Sequence, residues 1–190
     1  VLNHEHALEQ MAAESPFRLL AILFFIPFVE IPSFTEAGMI LLATFALFVA
    51  QLYRNKSYRH LPISTVAPLM NLSPIFLLVI ATLILGERLT LVQLAGIALT
   101  MLGGYLLDLK GKDVLGPLKH ASKSPYTATV VVTLIALSII GTIDKVNVQT
   151  LGIPVLTYLF WVYLCYCTLS LGTHIYKYGS QQIVKDIKKG

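Results

Sequence analysis

Between Pro62 and Pro74 an otherwise apolar stretch carries Ser64, Thr65, Pro68, Asn71 and Ser73. Ser64, Pro68 and Asn71 are spaced i, i+4, i+7, which places them on one face of a helix. Pro68 and Pro74 have no backbone N–H, so carbonyls one turn back lose their partners. At membrane depth such carbonyls need water, protein or ligand, and interrupted helices of this kind line solute sites in transporters. Ser64, Pro68, Asn71 and Pro74 are therefore candidate substrate-binding residues. The bland alternative is a kinked helix whose Asn71 only bonds a neighbour.

Trp161 joins these candidates, because with Tyr158 and Tyr163 it sets aromatic surface inside a second apolar stretch. Packing against lipid or core explains aromatic residues there equally well. Glu30 is the one acid that a straight first span would carry into the bilayer, where a carboxyl could hold a coupling proton. Pro27 and Pro32 on either side of it favour an interfacial position instead. Gly96, Thr100 and Gly104 recur every four residues, a ridge of small side chains that lets two helix backbones approach closely in lipid, and helix packing is its ordinary role.

Other chemistry is thinly supported. His4 and His6 flank Glu5, but no second zinc-ligand pair follows and an exposed loop is the simpler reading. Cys165 and Cys167 are two residues apart and point to opposite sides of a helix, so they form neither a metal knuckle nor a disulfide. His120 and His174 lack neighbouring acids, and no glycine-rich loop ending in Gly-Lys-Ser or Gly-Lys-Thr is present. No cofactor and no metal are expected.

The elements that position these residues follow from where the charges fall. Of 190 residues, 56% are hydrophobic and 13% charged, against about 25% charged in an ordinary soluble domain. Leu19–Val29, Ala37–Tyr53, Leu61–Gly86, Leu89–Leu107, Ser124–Ile143 and Val146–Tyr176 hold no Asp, Glu, Lys or Arg. A water-facing helix carries charge every turn or two, so this segregation points to lipid. The fold class is all-α: a polytopic transmembrane bundle of about six spans, near 17–34, 37–53, 63–86, 89–107, 126–143 and 153–172. Val1–Ser15 reads as a polar loop or short surface helix. Gly86 followed by Glu87 and Arg88 is a helix stop, which makes the third and fourth spans an antiparallel hairpin packed through the glycine ridge.

Residues 111–125 form a polar linker between residues 1–110 and 126–190. The tail from Lys177 has a short amphipathic pattern suited to a membrane surface. The net charge of +4 comes from loops and tail. It suits anionic lipid rather than nucleic acid, because no basic face with interleaved aromatic residues appears. Arg54–Arg59, Asp108–Lys123 and Lys177–Gly190 are the basic segments, and that bias puts them in the cytoplasm.

The third and fourth spans carry a family resemblance. Ser64-Thr-Val-Ala-Pro68-Leu, Asn71-Leu-Ser-Pro74, Leu85-Gly-Glu87-Arg-Leu-Thr90, Gln93, Gly96 and Gly103-Gly-Tyr-Leu-Leu107 resemble the end of an EamA-type repeat, the building block of the drug/metabolite transporter superfamily. Leu52-Tyr-Arg54 fits the same pattern, and Ile143-Asp-Lys145 with Gly152-Ile-Pro154 looks like the opening of a second repeat. The resemblance covers roughly Leu19–Gly172. It implies a fold of two inverted five-helix repeats around a central cavity for a small metabolite or drug. On that template the chain is a segment holding helices two to seven of ten. The family's usual orientation would make the Arg54–Arg59 segment external, opposite to the charge bias. Small four-helix relatives use an acid in their first helix, which has no counterpart here, so no coupling residue carries over.

The expected function is a secondary-type permease or exporter of small organic solutes in the plasma or inner membrane, and not an enzyme. Its expected partners are a small-molecule solute and the lipid bilayer, with no nucleic acid; a homodimer stays open. The rival is a membrane-embedded enzyme, flippase or assembly subunit acting on lipid-linked substrates. Such an enzyme needs Asp, His or Arg side chains gathered at one membrane face, and Asp144, Lys145, Glu87 and Arg88 are too sparse for that.

Overall fold

A computed structural model describes residues 7–86, 89–108 and 124–179, and within them the chain is helical without strands. The helices are α1 (Ala7–Leu23), α2 (Phe34–His60), α3 (Ile63–Met70), α4 (Ser73–Leu85), α5 (Leu91–Asp108), α6 (Thr127–Lys145, continued by a π-helical turn, Val146–Thr150) and α7 (Val155–Tyr178). Four spans are long and apolar enough to cross a membrane: Phe34–His60, Ile63–Leu85 taken through its break, Thr127–Thr150 and Val155–Tyr178. Leu91–Leu107 is a shorter apolar helix. The His4–Glu5–His6 cluster, Glu87 with Arg88, the 109–123 linker with His120, and the 180–190 tail lie outside the described residues.

The chain divides into two compact units, residues 1–52 with 143–190, and residues 53–142. In the first unit α1 packs along α7. Of the two readings of the polar segment up to Ser15, a loop or a short surface helix, the helix is found from Ala7, continuous with the first span, and α1 ends at Leu23 rather than near Phe34. Its buried residues Met11, Ala12, Ser15 and Ile22 make a helical stripe, while Gln10, Glu14 and Arg18 form an i, i+4, i+8 ladder. Glu14 accepts from Gln10 at 3.2 Å and from Arg18 at 3.0 Å. That ladder solvates the helix flank, which is why polarity there does not mean a loop. Pro16 cannot reach the Ala12 carbonyl, and the Ser15 hydroxyl takes that acceptor at 3.4 Å. Beyond Leu23 the chain makes a short 3-10 turn at Pro27 and runs irregularly through Pro32 to Ser33.

Ser33 then opens α2 with a reciprocal cap. Its N–H donates to Glu36 Oε2 at 2.6 Å, and the Glu36 N–H donates back to Ser33 Oγ at 3.4 Å. Ile40 and Ala43 of α2 pack with Ile153, Tyr158 and Val162 in the core of this unit. Expected to end at Tyr53, α2 instead continues to His60, so Arg54–Arg59 is helix and not a loop. No Gly or Pro falls between Tyr53 and Pro62, and Arg59 and His60 suit the negative end of the helix dipole.

The second unit holds the end of α2, α3, α4, α5 and most of α6. Its core is Leu61, Val66 and Leu69 against Val130 and Leu134. The Ser57 hydroxyl donates to Thr129 Oγ1 at 2.8 Å, and His60 stacks on Tyr126 with ring centroids 4.0 Å apart. Gly86 ends α4 in the left-handed conformation, as its place before Glu87 predicts. A second reciprocal cap, Thr90 with Gln93, starts α5. Phe34 (96% exposed), Leu91 (84%) and Leu107 (87%) show how much large apolar surface faces outward, the condition of a bundle solvated by lipid.

Candidate functional site

The third span is interrupted where its polar residues concentrate. α3 ends at Met70, Asn71 and Leu72 form a turn, and α4 restarts at Ser73. The cause is local: Pro74 has no N–H for the Met70 carbonyl, and Pro68 has none for Ser64. Asn71 caps α3, its N–H reaching the Ala67 carbonyl at 3.3 Å, while Leu72 bonds Leu69 at 3.1 Å in a tighter turn. Pro68 is fully buried; Ser64, Asn71 and Pro74 are half-buried. Ser64, Pro68 and Asn71 still share the face of α3 set by their spacing, and Pro74 begins the next segment.

α5 lies against α3 rather than along α4. A Cβ added to Gly104 would stand 3.1 Å from Asn71 Cγ and Nδ2, so the absence of a side chain at Gly104 makes room for the Asn71 amide. The other members of the ridge do not pack in this way. Gly96 has open space around it, and Thr100 is exposed with its hydroxyl donating to the Gly96 carbonyl at 2.8 Å. The tight hairpin expected along the whole ridge is thus corrected to a single close approach. The reason is the break itself, which lets α4 leave the line of α3 that α5 follows. Between α4 and α5 an apolar groove of about 540 Å³ runs from Leu94 and Ile75 to Leu72 and Tyr105, the sequence neighbours of Asn71 and Gly104. A separate close approach, which no ridge pattern announces, places Leu77 Cδ1 3.0 Å from where a Cβ of Gly141 would be.

Trp161 belongs to the other unit. Its indole N–H donates to the Glu30 carbonyl at 3.0 Å, and the Glu30 N–H donates to Thr157 Oγ1 at 3.1 Å. Trp161 therefore ties the irregular 24–33 segment to α7, and offers a solute only its ring. Glu30 is exposed and outside any helix.

Nearby lies a polar group that sequence reasoning missed. Tyr158 of α7 donates its hydroxyl to Asp144 Oδ1 at 2.5 Å. Asn147 is fully buried beside the same hydroxyl, although neither of its amide atoms has a partner of hydrogen-bond geometry. A span expected to end at Ile143 treats Asp144 and Lys145 as a loop. The helix continues instead, through a π turn closed by the Leu151 N–H on the Val146 carbonyl at 2.9 Å. The signal was available: nothing that stops a helix occurs between Ile143 and Gly152.

The model of the EamA-like transporter family matches residues 10–108, which takes in α1 to α5 with the broken span and Gly104. No curated protein and no solved structure matches the chain.

Proposed function

The chain belongs to the EamA-like transporter family and is a multi-pass membrane transporter of the drug and metabolite kind; from that premise we propose that it works as a secondary-type permease or exporter of small organic solutes in the plasma or inner membrane. The observation that carries this reading is the interruption of the third span at Asn71–Leu72, with the Asn71 amide against Gly104. A half-buried amide at a helix break offers both a donor and an acceptor where the surrounding surface is apolar. The groove beside it, walled by Leu, Ile, Met and Tyr side chains, suits a solute with apolar or aromatic bulk and a small polar head. Ser64, Pro68 and Pro74 shape the break, and Trp161 contributes aromatic surface in the other unit.

The test is flux by the purified protein in liposomes, probed with ethidium as a drug-like cation and with a mixture of radiolabelled amino acids as metabolites. Saturable flux of a probe, weakened by Asn71→Leu, supports the reading. Flux no greater than from empty liposomes for every probe would count against it.

A further inference from the structure

We infer that Asp144 takes up and releases a proton inside its span, with Tyr158 and Asn147 serving its two protonation states; this rests on the transporter reading above for its consequence, the coupling of solute movement to a proton gradient.

The geometry places one hydroxyl, that of Tyr158, between a carboxylate, Asp144, and an amide, Asn147. The Tyr158 O–H points at Asp144 Oδ1 from α7 at 2.5 Å, an arrangement that holds the ionised carboxylate. Asn147 follows three residues later, is 0% exposed, and stands by the Tyr158 hydroxyl without a well-formed bond at Oδ1 or Nδ2. A buried amide in that condition is a cost unless another state of the site uses it. Protonating Asp144 supplies that state: a proton from water joins a carboxylate oxygen, the new O–H donates to the Tyr158 oxygen, and the Tyr158 hydrogen turns to Asn147 Oδ1. Release returns the proton to water and restores the ionised form, so the cycle is balanced without any other reactant.

The backbone is built for the purpose. The π turn at Val146–Thr150 begins at the residue before Asn147, and such turns inside helices recur at functional sites. An ionisable residue within a span is costly in lipid and marks proton or ion pathways. From α2 the core of this unit presents Ile40, Ala43 and Leu47, from α7 Tyr158 and Tyr163, and from α6 itself Lys145, which has contacts of its own. Glu30, on the segment tied to Thr157 and Trp161, is exposed.

The experiment uses the protein in lipid and reads protonation first. Infrared difference spectra across a pH titration should show, apart from the bands of the exposed carboxyls, one carbonyl stretch shifted up by apolar surroundings, and it is this carboxyl band that is lost in Asp144→Asn and kept in Glu30→Gln. In Tyr158→Phe the midpoint should move by about one pH unit or more, the effect of losing a hydrogen bond to a charged group. In liposomes, Asp144→Asn should lose at least roughly tenfold in accumulation of the probe driven by a pH gradient while downhill exchange continues. A carboxyl band that survives in Asp144→Asn, or gradient-driven accumulation unchanged by it, overturns the assignment. Should the parent protein move no probe, the transporter reading fails, and the band alone decides whether Asp144 titrates.

Discussion

The Asn71 side-chain amide lies against the α-carbon of Gly104, so close that a Cβ there would meet Asn71 Cγ and Nδ2 at 3.1 Å. A polar residue at the break of one span and a glycine in the next are thus parts of one contact. Gly104→Leu should force the two apart and lower the melting temperature in detergent, by the equivalent of about 1–3 kcal/mol for an overpacked contact. Gly96→Leu should be neutral or slightly stabilising, because Gly96 has open space around it and leucine is the better helix former. Thermal melts of both variants beside the parent decide this; equal loss at both positions would contradict a single close approach.

The ridge illustrates what could be read from the sequence. Spacing alone shows that Gly96, Thr100 and Gly104 share a face, and it shows that α4 must stop at Gly86. Which of the three meets a partner depends on where the preceding span bends, and that bend is a tertiary outcome of Pro68, Pro74 and the residues between them. The reciprocal caps Ser33-x-x-Glu36 and Thr90-x-x-Gln93 at two helix starts went unread, although their spacing carries the signal. For the segment from Ala7 polarity alone leaves loop and surface helix open, and the i, i+4 pairing of Gln10, Glu14 and Arg18 is what favours the helix.

The α1–α7 pairing has a direct chemical test. The Ser170 hydroxyl donates to Ser15 Oγ at 2.7 Å, both residues fully buried. In a background without Cys165 and Cys167, Ser15→Cys with Ser170→Cys should form a disulfide on mild oxidation, since the two sulfurs would replace oxygens already in contact. Ser170→Ala alone should cost about 1 kcal/mol for the lost bond. Two cysteines that stay fully reduced and reactive would mean that α1 is not packed there.

A topological prediction follows from the His60–Tyr126 stack and the Ser57–Thr129 bond, which join the end of α2 to the start of α6. Lys56 and Pro125 are exposed at those ends. Single cysteines at these two positions should react with a membrane-impermeant reagent from the same side of a sealed vesicle. Labelling from opposite sides would be incompatible with both contacts. Which side it is decides between the charge bias, which makes Arg54–Arg59 cytoplasmic, and the family orientation, which makes it external.

For the candidate site, the polar stripe and the prolines of the third span were legible, because residue types alone remove backbone donors at fixed places. Asp144 was not, because a charged pair after an apolar stretch has the look of a helix end. The absence of any helix breaker before Gly152 carried the better signal, and the π turn that absorbs Val146–Thr150 has no sequence signature of its own.

Asn71→Leu separates binding from packing at the break. Leucine has the branched outline of asparagine with bulkier end groups and is a good helix former, so the substitution removes the amide and keeps the general shape. Losing one or two hydrogen bonds to a solute should cost about 1–3 kcal/mol, which is roughly a ten- to hundredfold loss in apparent affinity for the transported probe. The amide also touches Gly104, so some stability can change with it. A KM raised with the maximal rate held near that of the parent is the expected result, because a contact made equally in the bound and moving states affects binding alone. Gly104→Ala is the companion variant: it crowds the amide by a few tenths of an ångström without removing it. It should lower stability more than it weakens the probe. If Asn71→Leu melts lower and transports with unchanged KM, the amide serves only to pin α3 to α5, and the solute path lies elsewhere.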